Sequence, residues 1–227
     1  MPFGKNEAPI PGFFAEERPA KLAPRMALAA PNCLPSQTIL KTMTTITIHS
    51  KEFVPYLSEG EIKERVGSLG QRINTDYDGK NPLFVGVLNG CFRFAAELMN
   101  HIGITSEINF VKLTSYRGVE STGKISSHIG LNSNVEGRHL IIIEDIVDTG
   151  NTVEFLLENL QKEKPASIKV ATLLYKPEAY HGNVKLDYVG FEIPNLFVVG
   201  YGLDFDGQGR NLNDIYQIKL PTTVKYD

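Results

Sequence analysis

Residues Leu140–Thr152 read LIIIEDIVDTGNT, and few folds accommodate that string. Leu140 to Ile143 are apolar without alternation, the pattern of a strand buried on both faces of a parallel sheet. Glu144 and Asp145 follow where that strand is expected to end. Asp148, Thr149 and Gly150 then make a tight turn, and Val153, Leu156, Leu157 and Leu160 mark one face of a helix over Thr152–Leu160. Strand, acidic pair, turn and helix in that order form an anion cradle. N–H groups at the helix start point out of the turn, and the helix dipole favours a bound phosphate. Gly150 lets the backbone approach that phosphate closely. The acidic pair suits sugar hydroxyls, or a magnesium ion held through water. A site that takes both a phosphate and hydroxyls points to a phosphorylated sugar. The plainer alternative is that Asp148 and Thr149 are ordinary helix N-caps, with acids gathered near a helix start.

The rest of the chain narrows the class. Its 227 residues, 42% of them apolar and 22% charged, suffice for one globular domain with a sizeable core. A net charge of −3 and a pI near 6.0 argue against a nucleic-acid-binding surface. Cys33 and Cys91 lie too far apart for a disulfide framework or a zinc site. The histidines (His49, His101, His128, His139, His181) show no ligand spacing and read as surface or loop residues.

Residues 1–42 stand apart, holding seven of the thirteen prolines with little periodicity, and read as a disordered extension. Pro31 and Pro35 break the short apolar run after Met26, and Glu16, Glu17 and Arg18 precede it, so neither a signal nor a transit peptide is expected. Translation starting at Met43 is the expectation. With no transmembrane stretch either, a cytoplasmic protein without a membrane partner follows.

From Met43 onward, strand-like and helix-like segments alternate. Thr44–His49 is strand-like, and Ser58–Asn74 is helical with a capping box from Ser58 to Glu61. Leu83–Leu88 is a buried strand, Phe92–His101 a helix and Glu107–Leu113 a strand. Ser115–Asn134 runs polar and without period, long for a connection, as lids are. Strands are expected again over Ile168–Leu174, Leu186–Phe191, Leu196–Val199 and Ile215–Leu220, with a glycine-rich acidic loop over Tyr201–Asn213. Such alternation specifies an α/β domain with a mainly parallel central sheet flanked by helices. Ligands then sit beyond the carboxyl ends of the strands. Asn89, Ser115 and Tyr116, Glu144 to Thr152, Lys176, and Asp204 with Arg210 all fall just after strands.

The thirteen-residue string closely resembles the phosphoribosyl-pyrophosphate-binding signature of type I phosphoribosyltransferases. From about Ile46 the chain is similar to the hypoxanthine-guanine phosphoribosyltransferases, in VLNGCFRFAAEL, TSYRG and VGFEIPNLFVVGYGLDF as well as in the signature. The resemblance implies the type I fold over 43–227, with a small hood and a flexible lid loop, and an enzyme working as a homodimer or homotetramer. It implies magnesium-dependent joining of hypoxanthine or guanine to phosphoribosyl pyrophosphate, giving IMP or GMP and pyrophosphate.

Roles follow from the same likeness. The backbone of Asp148, Thr149, Gly150, Asn151 and Thr152 holds the 5-phosphate, and Glu144 and Asp145 face the ribose hydroxyls and magnesium. Asp148 sits by the purine's imidazole nitrogen as the catalytic group. Lys176 donates to the six-position oxygen. Phe197 and Ile146 sandwich the purine, and the Val198 and Asp204 carbonyls meet a guanine amino group. Asp204 also holds a second magnesium through water, while Arg210 binds departing pyrophosphate. Leu88, Asn89 and Gly90 form a pyrophosphate loop with a cis peptide at Leu88–Asn89. Ser115 and Tyr116 ride on the lid.

Two other readings stay open: a base acceptor such as xanthine or a pyrimidine, and a phosphoribosyl-pyrophosphate-binding regulator without catalysis. A P-loop hydrolase fits poorly, since no G-x-x-x-x-G-K-[ST] occurs.

Asn89, Asn151 and Leu196 stand where vertebrate-type members of the family commonly carry lysine, so donor binding is expected to be weaker here. Asn151→Lys should therefore tighten phosphoribosyl pyrophosphate binding in a calorimetric titration. Equal affinity would show that the missing charge does not matter.

Overall fold

The computed structural model describes residues 44–113 and 134–220. The segment 1–42, Ser115, Tyr116 and the expected lid lie outside the described residues.

Strand formation follows the apolar runs. β3 (Leu83–Leu88) and β5 (His139–Val147) pair in parallel, with Leu83 opposite Leu140 and Gly86 opposite Ile143. β4 (Glu107–Lys112), β6 (Ser167–Tyr175) and β7 (Tyr188–Glu192) complete a five-stranded parallel sheet in the order β4-β3-β5-β6-β7. Chain order reverses direction between β3 and β5, which makes the crevice beyond their carboxyl ends the natural ligand site. α1 (Glu59–Asp76) and α2 (Phe92–Asn100) cover one face, where Phe84, Ile141, Ile143 and Leu173 pack with Val66, Leu69, Phe94 and Leu98. α3 (Asn151–Lys162) covers the other through Val153, Leu156 and Leu160 against Val85, Leu140, Ile142 and Val170. The period-two alternation of β5 is what sends Ile141 and Ile142 into these separate cores.

A second, antiparallel sheet of order β1-β2-β9-β8 is built from β1 (Ile46–Ile48), β2 (Lys51–Leu57), β8 (Val198–Val199) and β9 (Ile215–Ile218). It is the expected hood. Lys51–Leu57 carries no clean alternation to mark it as a strand; it forms one because both its neighbours supply partners, Ile46 opposite Phe53 on one side and Phe53 opposite Ile218 on the other.

The structure corrects three further expectations. β5 does not stop at Ile143: it continues through the acidic pair because β6 keeps pairing with it, Glu144 opposite Thr172 and Ile146 opposite Leu174. His139 is no loop residue; it lies in β5, its Nδ1 2.7 Å from the Ser167 hydroxyl. The strand that precedes Asp204 and Arg210 belongs to the hood, so these two reach the crevice from a different sheet.

The capping box of α1 forms in both directions. The Glu61 N–H donates to Ser58 Oγ at 3.3 Å, and the Ser58 N–H donates to Glu61 Oε2 at 2.8 Å. Ser58→Ala should lower unfolding stability by ~1 kcal/mol, read as a shift of the urea midpoint at unchanged slope.

Candidate active site

At the carboxyl end of β5 the chain turns through Val147–Thr149 into α3. Gly150 is the N-cap, at φ 95°, in the left-handed region where glycine is favoured. Neither Asp148 nor Thr149 caps the helix, so the plain capping reading of those residues fails. The turn encloses a cavity of about 80 Å³ lined by Glu144 and by the backbone and side chains from Ile146 to Val153. Asn151 and Thr152 open the helix, and its N-terminus faces this space, as anion binding requires.

Glu144 and Asp145 are held close to the sheet. Burial, and then the Asp145 charge, push the Glu144 carboxyl well above the usual range. Its Oε2 is buried and has no hydrogen-bond partner. Asp145 is raised to about 6, mainly by burial; its own N–H and that of Ile146 oppose this, as does the nearby Arg210. Its carboxylate lies against Gly90, where any Cβ would overlap it. Gly90 belongs to the Leu88–Asn89–Gly90 turn at the end of β3, and the Leu88–Asn89 peptide is cis, as expected.

Lys176, just past β6, is buried, with its side chain 8% exposed, and its ammonium donates to Asp148 Oδ2 at 3.0 Å. Asp148 keeps 45% of its side chain exposed, so one face of the pair meets the crevice. Phe197, 43% exposed, stands at the rim of the hood with its ring 5.6 Å from Phe205 and 6.3 Å from Phe53, while Val198 beside it is buried in β8. Ile146 is half-buried and packs on the core at the side of the turn. Purine-contact candidates thus come from both sheets.

The Asp204 carboxylate is engaged within its own loop. Its Oδ1 pairs with Arg210 Nη2 at 2.5 Å, and its Oδ2 accepts from the Gly207 N–H at 2.8 Å. Arg210 Nη1 donates to the Gly202 carbonyl at 2.7 Å. Among the described residues no group of three or more histidine, cysteine, aspartate or glutamate side chains gathers as a metal cage. The residues do fit hydrated magnesium. An unpartnered carboxylate oxygen on Glu144 beside an aspartate whose charge is poorly solvated is a donor set of the oxygen type that such an ion takes.

Sequence reasoning missed Arg93. From α2 it donates to the Leu212 carbonyl at 2.5 Å and to Asn213 Oδ1 at 2.9 Å, and it stacks 4.8 Å from the Tyr201 ring, which pins the 201–213 loop to α2. No local pattern marks it, since its partners lie more than a hundred residues away.

A profile of the phosphoribosyl transferase domain matches residues 56–206, and the chain belongs to the phosphoribosyltransferase family. A hypoxanthine-guanine phosphoribosyltransferase of Streptococcus pyogenes is 44% identical over 156 residues, covering 68% of this chain and 87% of that one. That likeness places the chain in the hypoxanthine-guanine branch. The bifunctional protein TilS/HprT of Listeria monocytogenes is 42% identical over 157 residues, 69% of this chain, but the chain spans only 24% of that protein. A crystal structure of a hypoxanthine-guanine phosphoribosyltransferase from Bacillus anthracis, with a HEPES molecule in its active site, superposes at a TM-score of 0.66 with 37% identity, covering 73% of this chain and 96% of that one.

Because Asp145 titrates higher in the folded chain than unfolded, it favours folding only while protonated. That contribution is fully present below about pH 4 and is lost as pH rises through about 6. In metal-free protein at pH 7.5, Asp145→Asn should therefore raise stability by up to about 2 kcal/mol, read as a higher melting temperature. The gain should vanish at pH 4.

Proposed function

We propose that the protein is a magnesium-dependent purine salvage enzyme that transfers the phosphoribosyl group from phosphoribosyl pyrophosphate to hypoxanthine or guanine, releasing pyrophosphate. The observation that carries this reading is the Lys176–Asp148 pair, 3.0 Å apart, at the lip of the phosphate turn. An ammonium has three donors and no acceptor, so Lys176 meets a six-position oxygen well and an adenine amino group badly. Asp148 next to it takes the imidazole-side proton as the base bonds to the anomeric carbon. The fold supports the pairing, because successive parallel strands β5 and β6 deliver both residues to one end of the sheet.

The remaining roles are those the family resemblance implies. The N–H groups from Thr149 to Thr152 bind the 5-phosphate at the start of α3. Glu144 and Asp145 hold the ribose hydroxyls and the magnesium, which supplies charge neutralisation for the leaving pyrophosphate when bound. Asn89 and Gly90 offer backbone N–H groups to that pyrophosphate. Arg210 adds charge: two of its five donors are spent within its loop, and the others remain for a phosphate. Phe197 and Ile146 sandwich the base, with the Val198 and Asp204 carbonyls toward a guanine amino group. Bond breaking runs ahead of bond making, so positive charge gathers on the ribose and fixed dipoles and carboxylates carry most of the catalysis. Ser115 and Tyr116 belong to the lid that keeps water out. No helix among the described residues is long and apolar enough to cross a membrane; we place the enzyme in the cytoplasm as a homodimer or homotetramer.

The test is pyrophosphate release with magnesium and phosphoribosyl pyrophosphate, offering hypoxanthine, guanine, xanthine, adenine and uracil in turn. Hypoxanthine and guanine should turn over, and Asp148→Asn should cut kcat at least ~100-fold. Donor binding without turnover on any base would make the protein a regulator instead.

A further inference from the structure

The loop that leaves Lys176 returns to the phosphate turn, and it does so through a residue with no role in the chemistry above. The Lys176 N–H donates to the Val147 carbonyl at 3.0 Å, and the Lys176 carbonyl accepts from the N–H groups of Ala179 and Tyr180, both at 3.1 Å. That tight turn brings the Tyr180 ring against Gly150. A Cβ on Gly150 would run into the edge of this ring, so the ring occupies the space that the left-handed glycine leaves open. The ring is itself held on two sides. Its hydroxyl donates to the Val184 carbonyl at 2.6 Å, and it packs edge-on against Tyr175 with centroids 5.5 Å apart at 78°. The flanking residues tie down the same turn: the His181 N–H donates to the Thr149 carbonyl at 3.3 Å, and the Asn183 N–H donates to Glu154 Oε1, on the first turn of α3, at 2.9 Å. These contacts take the outer side of the turn, its Thr149 carbonyl and Gly150 Cα, and not the N–H groups that would meet a phosphate.

We propose that Tyr180 is a positioning residue for the phosphate subsite, a wedge that keeps Gly150 in its left-handed conformation and so keeps the turn's N–H groups convergent. The same loop begins at the base-reading lysine, so one segment sets base selectivity at its first residue and donor affinity at its fifth. The inference rests on the proposed reaction for the identity of the phosphate donor, but not for the mechanical role of Tyr180. Preorganised N–H groups bind an anion without first being ordered, and loosening them weakens donor binding more than it slows the chemical step.

Two measurements test it, on wild type, Tyr180→Ala and Tyr180→Phe. In steady-state kinetics Tyr180→Ala should raise KM for phosphoribosyl pyrophosphate about tenfold, with kcat and the hypoxanthine KM within about twofold of wild type. Tyr180→Phe keeps the ring on Gly150 and should restore the donor KM. In ligand-free protein, hydrogen exchange of the Glu154 and His181 amides, which donate to the Gly150 and Thr149 carbonyls of the turn, should accelerate in Tyr180→Ala and not in Tyr180→Phe. A donor KM unchanged in Tyr180→Ala overturns the proposal, as does a parallel rise of both KM values that phenylalanine does not rescue. If wild type turns over no base, the reaction is wrong, and the exchange comparison still decides the wedge: unchanged exchange in Tyr180→Ala overturns it. Should Tyr180→Ala melt below the assay temperature, Tyr180→Leu, which keeps bulk without a flat ring, takes the same measurements.

Discussion

Two adjacent carboxylates carried by the central strand of a parallel sheet, largely shielded from water, set the terms for the rest of the molecule. A charge there is costly unless something nearby answers it. Glu144 has a buried oxygen with no partner, and Asp145 lies hard against Gly90 with Arg210 as a counter-charge. That cost falls at the end of β5, which faces the crevice at the reversal of strand order. On the proposed reading, hydroxyls and a cation arriving with the ligand would answer these two desolvated charges.

Around this strand the two sheets divide the work. The parallel sheet is closed on both faces by α1, α2 and α3, which gives β3, β5 and β6 little freedom to shift and so holds Asn89, Asp148 and Lys176 in fixed relation. The hood is smaller, and its aromatic cluster of Phe53, Phe197 and Phe205 leaves one ring exposed at the rim. Arg93 bridges the two halves by holding the 201–213 loop to α2, so the position of Asp204 and Arg210 is set by a contact rooted in the parallel-sheet layer.

The short turns are rigid for different reasons. The Gly90 turn is crowded: a side chain there would overlap Asp145, and Gly202 packs close to the Gly90 carbonyl. The Gly150 turn is braced from outside by Tyr180, His181 and Asn183. Both leave backbone N–H groups near the carboxylates. On the proposed reading, a negatively charged ligand in this crevice would be held by backbone dipoles on two turns, with the acids between them toward its hydroxyls and cation.

Much of this was legible in the residues themselves. LFVGVL and LIIIEDIV are unbroken apolar runs that only a sheet covered on both faces can bury, the α1 pattern with its Ser58–Glu61 box is local, and DTGNT contains the chemistry of its own turn. Local periodicity could not say that β5 runs on through Glu144 and Asp145, because that depends on hydrogen bonds offered by β6. It could not make Lys51–Leu57 a strand, nor assign the Asp204 loop to a second sheet, since both depend on partners elsewhere in the chain. The capping role passed from Asp148 to Gly150 because Asp148 is drawn to Lys176, 28 residues away, and because the Tyr180 ring fills the space above a glycine. Element type and the identity of the reactive groups are short-range properties, set by side-chain period and chemistry. Which of those groups pair, which stay unpartnered and which face the ligand depends on contacts between distant segments, and these exist only once the sheet has closed.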